Sequence, residues 1–184
     1  MTRRGLLSAT AVGTLLLAAP SVLSVPPLLI WNASASVPVG LYRASGAGIL
    51  GIGDLVAVAP PPDLATFLAE RGYLPRGVPL LKHVMALAGS VVCRDAATVA
   101  IDGRPVAAAR ERDRRDRPLP VWSGCRTIAV DEVFLLNPDA ADSFDGRYFG
   151  PLPRDTITAR LTPIWTPADT AEPRPPAAPA ASEP

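Results

Sequence analysis

The chain has 184 residues, with 18 Lys and Arg against 17 Asp and Glu, for a formal net charge of +1. This balance argues against a nucleic-acid-binding surface, which would show a clustered excess of Lys and Arg. A single histidine and two cysteines outside any metal-type cluster imply no metal and no organic cofactor.

Arg3 and Arg4 precede Gly5 to Ile30, which carries no charged residue. A helix needs roughly 20 apolar residues to cross a bilayer core, so this stretch is long enough. Positive charge before it and none close after it place the N-terminus in the cytoplasm and the rest of the chain outside. Residues 1–31 therefore read as a membrane anchor. The competing reading is a signal peptide cleaved near Ala18 or Ala19, which Pro20, Pro26 and Pro27 favour because they kink or end a helix. Apolar residues that continue to Ile30 favour retention.

Residues 32–166 form one domain's worth of chain, mainly β with a small helical insertion. Leu55 to Val58 follows a Gly53-Asp54 turn, Leu80 to Leu87 is a second apolar run, and Val99 to Ile101 enters a hairpin turn at Asp102-Gly103. Val130 to Leu136 and Ile157 to Ile164 read as later strands, and a strand over Thr127 to Val130 is expected beside Cys125. One helix is predicted: Asp63 caps it, Leu64, Phe67, Leu68 and Arg71 recur at helical spacing, and Gly72 ends it. Arg110 to Arg117 interleaves five arginines with Glu111, Asp113 and Asp116 and reads as a solvated loop. Residues 167–184 are rich in Pro and Ala with few large apolar residues, and are expected to be a disordered tail. In an exported domain Cys93 and Cys125 are expected to form a disulfide.

Three local groups carry possible chemistry. Ser36 precedes Val37-Pro38-Val39-Gly40, a turn that can hold a hydroxyl in one direction. Lys82 shares a strand face with Leu80 and Val84, so it either snorkels at an edge or is desolvated. Desolvation lowers a lysine pKa and yields a neutral amine able to take a proton from serine. Ser143-Phe144-Asp145-Gly146-Arg147 allows an Asp145–Arg147 ion pair beside a serine, which alone is an ordinary surface motif.

Together these segments resemble the signal peptidase family of Ser-Lys proteases, in particular the conjugative transfer signal peptidases of the TraF type. The matching stretches run in order: Asn32 to Tyr42, Gly53 to Val56, Lys82 to Val84, Arg117 to Pro120, and Ser143 to Pro151. The resemblance implies an all-β catalytic core on the periplasmic side of the bacterial inner membrane. It further implies Ser36 as nucleophile, Lys82 as general base, Ser34 as an oxyanion donor, Ser143 as the group that orients the lysine, and Asp145 with Arg147 as a supporting ion pair. The implied partners are the membrane and a precursor with an apolar leader, such as a propilin. Where the general family has Arg after the lysine and then Pro-Gly-Asp, this chain has His83 and Ala88-Gly89-Ser90. Two other readings stand beside this one: a Ser36–His83–Asp145 hydrolase, and a non-catalytic membrane-tethered β domain of a secretion or pilus assembly. Against the first, His83 points to the strand face opposite Lys82.

Overall fold

The computed structural model describes residues 28–167 continuously and, before them, residues 3, 5, 10 and 12–14, all helical. Most of the expected anchor, and the expected tail beyond Pro167, lie outside the described residues. No helix among the described residues is long and apolar enough to cross a membrane.

The described chain is mainly β, in two antiparallel sheets. The larger has the order β1-β2-β11-β3-β4-β9-β10 and the smaller β7-β6-β5-β8. Their strands are β1 Leu29–Asn32, β2 Gly40–Ser45, β3 Leu55–Val58, β4 Leu80–Ala86, β5 Val91–Asp95, β6 Thr98–Ile101, β7 Arg104–Ala108, β8 Gly124–Thr127, β9 Glu132–Leu136, β10 Leu152–Pro153 and β11 Ile157–Trp165. Helix α1 spans Pro62–Glu70 and a single turn, α2, spans Gly146–Phe149.

Alternation along β3 and β4 sorts side chains between two cores. Val56 and Val58 join Leu80, Val84 and Leu68 of α1 in one cluster, while Ala57 and Leu81 turn to the other face with Val37, Tyr42 and Leu161. Lys82 lies opposite Val56 in an interior strand flanked by β3 and β9, which excludes snorkelling at an edge. A register shift between Val84 and Ala86 reverses the alternation. Ala86 thereby joins Val92, Val99, Ile128, Phe134 and Leu136 in the core that fastens the small sheet to the large one.

Several expectations need correction at their boundaries. Helix α1 begins with Pro61 as N-cap and Pro62 in its first turn; Asp63 sits within that turn and makes no capping bond. Proline's fixed φ and missing N–H suit that position. The eighth strand is Gly124–Thr127, not Thr127 to Val130, and β9 starts at Glu132, because residues 129–132 form a turn. The Ala129 N–H bonds the Glu132 carboxylate in that turn, and Val130 stands 83% exposed at its tip. Asp102-Gly103 does form the β6–β7 turn. Cys93 and Cys125 are joined directly across β5 and β8.

Candidate active site

Ser34 and Ser36 lie on the connection from β1 to β2, whose ends pair Asn32 with Gly40. Asn32 organises this loop from within. Its side-chain NH2 donates to the carbonyls of Ser34, Val37 and Pro38 at 2.8, 3.0 and 3.0 Å, which fixes Oδ1 as the acceptor. Oδ1 receives the Ser34 N–H at 3.0 Å and the Ser34 hydroxyl at 2.9 Å. Tyr42 braces the far side, its hydroxyl donating to Pro38 O at 2.6 Å. Gly40 is indispensable to this turn: its φ is +155°, and a Cβ there would stand 2.2 Å from Trp165 O.

The two hydroxyls are 3.1 Å apart. A hydroxyl has one proton, and that of Ser34 goes to Asn32, so the Ser36 hydroxyl donates to Ser34. Ser36 is half-buried and Ser34 exposed.

Lys82 is 3% exposed, and its ammonium donates to Ser143 Oγ at 2.8 Å. Burial in the apolar face of β4 pushes its pKa down to about 8, with nearby Arg147 adding to the effect and Asp145 opposing it. No hydrogen bond joins Lys82 to Ser36 among the described contacts, but both line one cleft of about 630 Å3 that also includes Ser34 and Ser143.

The turn between β9 and α2 holds Ser143 in place. Asp145 caps α2 and is fully buried; Arg147, 1% exposed, meets it side by side through Nε at 2.9 Å and a terminal nitrogen at 2.8 Å. The same guanidinium donates to Asn137 O at 2.9 Å and Ala140 O at 2.7 Å, and Ala140 O in turn accepts from the Ser143 N–H at 3.0 Å. The pair is thus buried scaffolding and not a surface motif. Gly146 admits this packing, since a Cβ there would lie 2.6 Å from Leu135 O.

Asn137 clamps the lysine strand from the side. Its NH2 donates to Leu81 O at 3.1 Å while Oδ1 accepts from the His83 N–H at 3.2 Å, so the residues on either side of Lys82 are pinned. With Oδ1 as acceptor, the His83 ring donates through Nδ1 at 3.1 Å. His83 does not line the cleft, and Asp145 is engaged by Arg147, so the structure does not assemble Ser36, His83 and Asp145.

Residues 110–117 are mostly exposed, as expected of a solvated loop, and their five arginines with Asp113 also line the cleft. Asp113 anchors them: its carboxylate accepts from the Tyr73 hydroxyl, from Arg117 Nε at 2.7 Å, and from the N–H groups of Arg115 and Arg117 at 2.8 and 2.9 Å. Burial works to raise its pKa, but these donors prevail and hold it below the usual carboxylate range.

Of the six candidate residues, Ser34, Ser36, Lys82 and Ser143 line the cleft, and Asp145 and Arg147 lie beneath it. Asn32 and Asn137 were not assigned roles from sequence, and neither was Arg94. Arg94 reaches from β5 to Arg147 O and tilts over the Tyr148 ring, tying the small sheet to the site. A polar residue ending an apolar strand run, as Asn137 does after Phe134-Leu135-Leu136, is the one available signal.

Comparison with known proteins identifies the family. The family model for "Signal peptidase, peptidase S26" matches residues 1–166. A plasmid transfer protein TraF of Escherichia coli is 36% identical over 146 residues, covering 73% of this chain and 81% of that protein. A conjugal transfer protein TraF of Agrobacterium fabrum is 32% identical over 178 residues, covering 90% and 98%. A crystal structure of a signal peptidase I from Enterococcus faecalis superposes with a TM-score of 0.37 at 18% identity, over 62% of this chain and 97% of that one, too loosely to transfer any geometry. The chain belongs to the signal peptidase family, peptidase S26, and TraF proteins of conjugal transfer are among its relatives.

Proposed function

We propose that this chain is a serine endopeptidase held at the bacterial inner membrane, its 32–166 domain on the periplasmic side, which cleaves an exported precursor with an apolar leader during conjugal transfer. The observation that carries this is Lys82, buried in the floor of the cleft that Ser36 lines, with its Nζ fixed by Ser143.

In this reading, neutral Lys82 takes the Ser36 proton as Oγ attacks the scissile carbonyl, and the ammonium then protonates the leaving amine. The Ser36 hydroxyl must first turn from Ser34 toward the lysine. Ser34 is then free to swing its own proton toward the developing oxyanion, and Asn32 Oδ1 is not left bare because it keeps the Ser34 N–H at 3.0 Å. Water completes the hydrolysis of the acyl-enzyme. A propilin is the precursor class that the relatives' role in conjugal transfer favours.

Membrane proximity has support of its own. Trp31 and Trp165 stack at 6.0 Å and are 58% and 46% exposed, next to exposed Leu28 and Leu29, as aromatic residues at a membrane interface would be. Since β1 takes Leu29–Asn32 into the sheet, a spanning segment ends by Leu28, and Leu29 to Ala35 alone separate it from Ser36, a reach of about 3.3–3.6 Å per residue at most. The test is cleavage of a leader-bearing precursor in liposomes by the full chain and by Ser36→Ala. Product with the first and none with the second is expected; equal product from both, or none from either, contradicts the reading.

A further inference from the structure

The cleft is strongly cationic for a chain of net charge +1. Arg71 and five arginines from residues 110–117 line it, against two carboxylates, Asp113 and Asp142. Both carboxylates are consumed in shaping the wall. Asp113 is the anchor described above, and Asp142 ties down Arg110 at 2.7 Å and also Arg114. What remains is a surplus of positive charge on a fixed frame. Arg112 donates to the Asp116 backbone carbonyl at 2.7 Å and has as its one carboxylate that of Asp116 at 3.6 Å, both side chains more than half exposed, while Arg115 has no carboxylate within 4 Å among the described residues. The frame matters because Asp113 holds its backbone, so the two arginines are presented from fixed positions.

The surplus faces the chamber that holds Ser36 and Lys82, not a remote surface. Arg112 and Arg115 line the same cleft of about 630 Å3 as Ser36 and Lys82. Any side chain meeting Arg112 and Arg115 therefore lies in the same cleft as the reacting bond.

We propose that the cleft selects acidic segments: the substrate carries Asp or Glu in the stretch that occupies the cleft beside the scissile bond, received by Arg112 and Arg115. This rests on the cleft being a peptide-binding site. Arginine suits the task through planar, paired donors to carboxylate, and its charge also steers encounter.

The test reads binding, so that it does not depend on catalysis. Full-length Ser36→Ala in detergent is titrated with two fluorescent peptides of one sequence, differing only by two Glu replaced with Gln beside the cleavage position. The Glu peptide should bind on the order of tenfold tighter at low salt, an advantage that shrinks as ionic strength approaches about 0.5 M. Arg112→Gln with Arg115→Gln should erase it; the salt series reads the same charge effect without relying on that variant. Equal binding of the two peptides overturns the proposal, as does a Glu advantage that survives in the double variant. A double variant that loses only its affinity for phosphatidylglycerol vesicles, with the Glu preference intact, assigns the arginines to lipid and also overturns it. If the unsubstituted chain cleaves neither peptide while the Glu advantage holds, acidic recognition stands and the peptidase reading falls.

Discussion

Lys82 Nζ meets Ser143 Oγ at 2.8 Å although 61 positions separate the two residues in sequence. The contact joins an interior strand to the turn before α2, so the position of the amine is set by β4 and by the Arg147-held turn together. A serine hydroxyl accepts from an ammonium and donates to a neutral amine, so the contact survives titration of the lysine.

The first consequence concerns stability. Burial moves the Lys82 pKa from 10.5 to about 8, so between those values the folded chain binds fewer protons than the unfolded chain. This group's contribution to stability therefore rises with pH across that window, and below it the fold carries a penalty of about 3 kcal/mol. Lys82→Met should stabilise the domain by about 1–3 kcal/mol near neutral pH, less as pH approaches 10. Urea unfolding at two pH values checks this, and a variant that is destabilised equally at both contradicts it.

Arg147→Ala should behave in the opposite sense. It leaves the buried Asp145 carboxylate unpaired and releases the carbonyls of Asn137 and Ala140. Removing one partner of a buried pair costs about 3–5 kcal/mol. Denaturant midpoints measure it; a loss below about 1 kcal/mol would show that water reaches Asp145.

Ser34→Ala separates an oxyanion role from a loop-bracing role. The account expects kcat to fall by about 10²–10³ with KM little changed. Ser34→Thr, which keeps a hydroxyl, should recover part of the loss. If KM alone rises, Ser34 only shapes the loop.

Much of this arrangement was legible in the residues. β3, β4, the β6–β7 hairpin, β11 and α1 declare themselves through alternation, turn residues or helical spacing, and Ser36, Lys82 and Ser143 stand in recognisable boxes. β1 was hidden because Leu29–Asn32 continues the apolar run that starts at Gly5. β8 was misplaced because all four of its residues are exposed and show no alternation. The seat of residues 110–117 over the cleft depends on Tyr73 and Asp142, distant partners that charge patterning alone cannot assign. Asn32 and Asn137 act through backbone groups of other segments, which no local pattern encodes.

The Cys93–Cys125 bond closes a loop of 32 residues that carries the arginine-rich wall. Reduction should lower unfolding free energy by about 3–4 kcal/mol. Ser36 and Lys82 belong to other strands and loops and should keep their places, so activity of the still-folded reduced chain should persist. Calorimetry with and without reductant, alongside cleavage at a temperature below both transitions, measures the two effects; unchanged stability contradicts the expectation.

The central claim is that Lys82, and not His83, activates Ser36. Initial cleavage rates of a leader-bearing precursor, measured across about pH 6 to 10 for the unsubstituted chain, Lys82→Ala and His83→Ala, test it directly. The account predicts a rate that rises with pH to a plateau, with its midpoint near the lysine's value of about 8. Lys82→Ala should be inactive at every pH and His83→Ala should keep most of the activity with the same profile. An active Lys82→Ala beside an inactive His83→Ala would contradict the account.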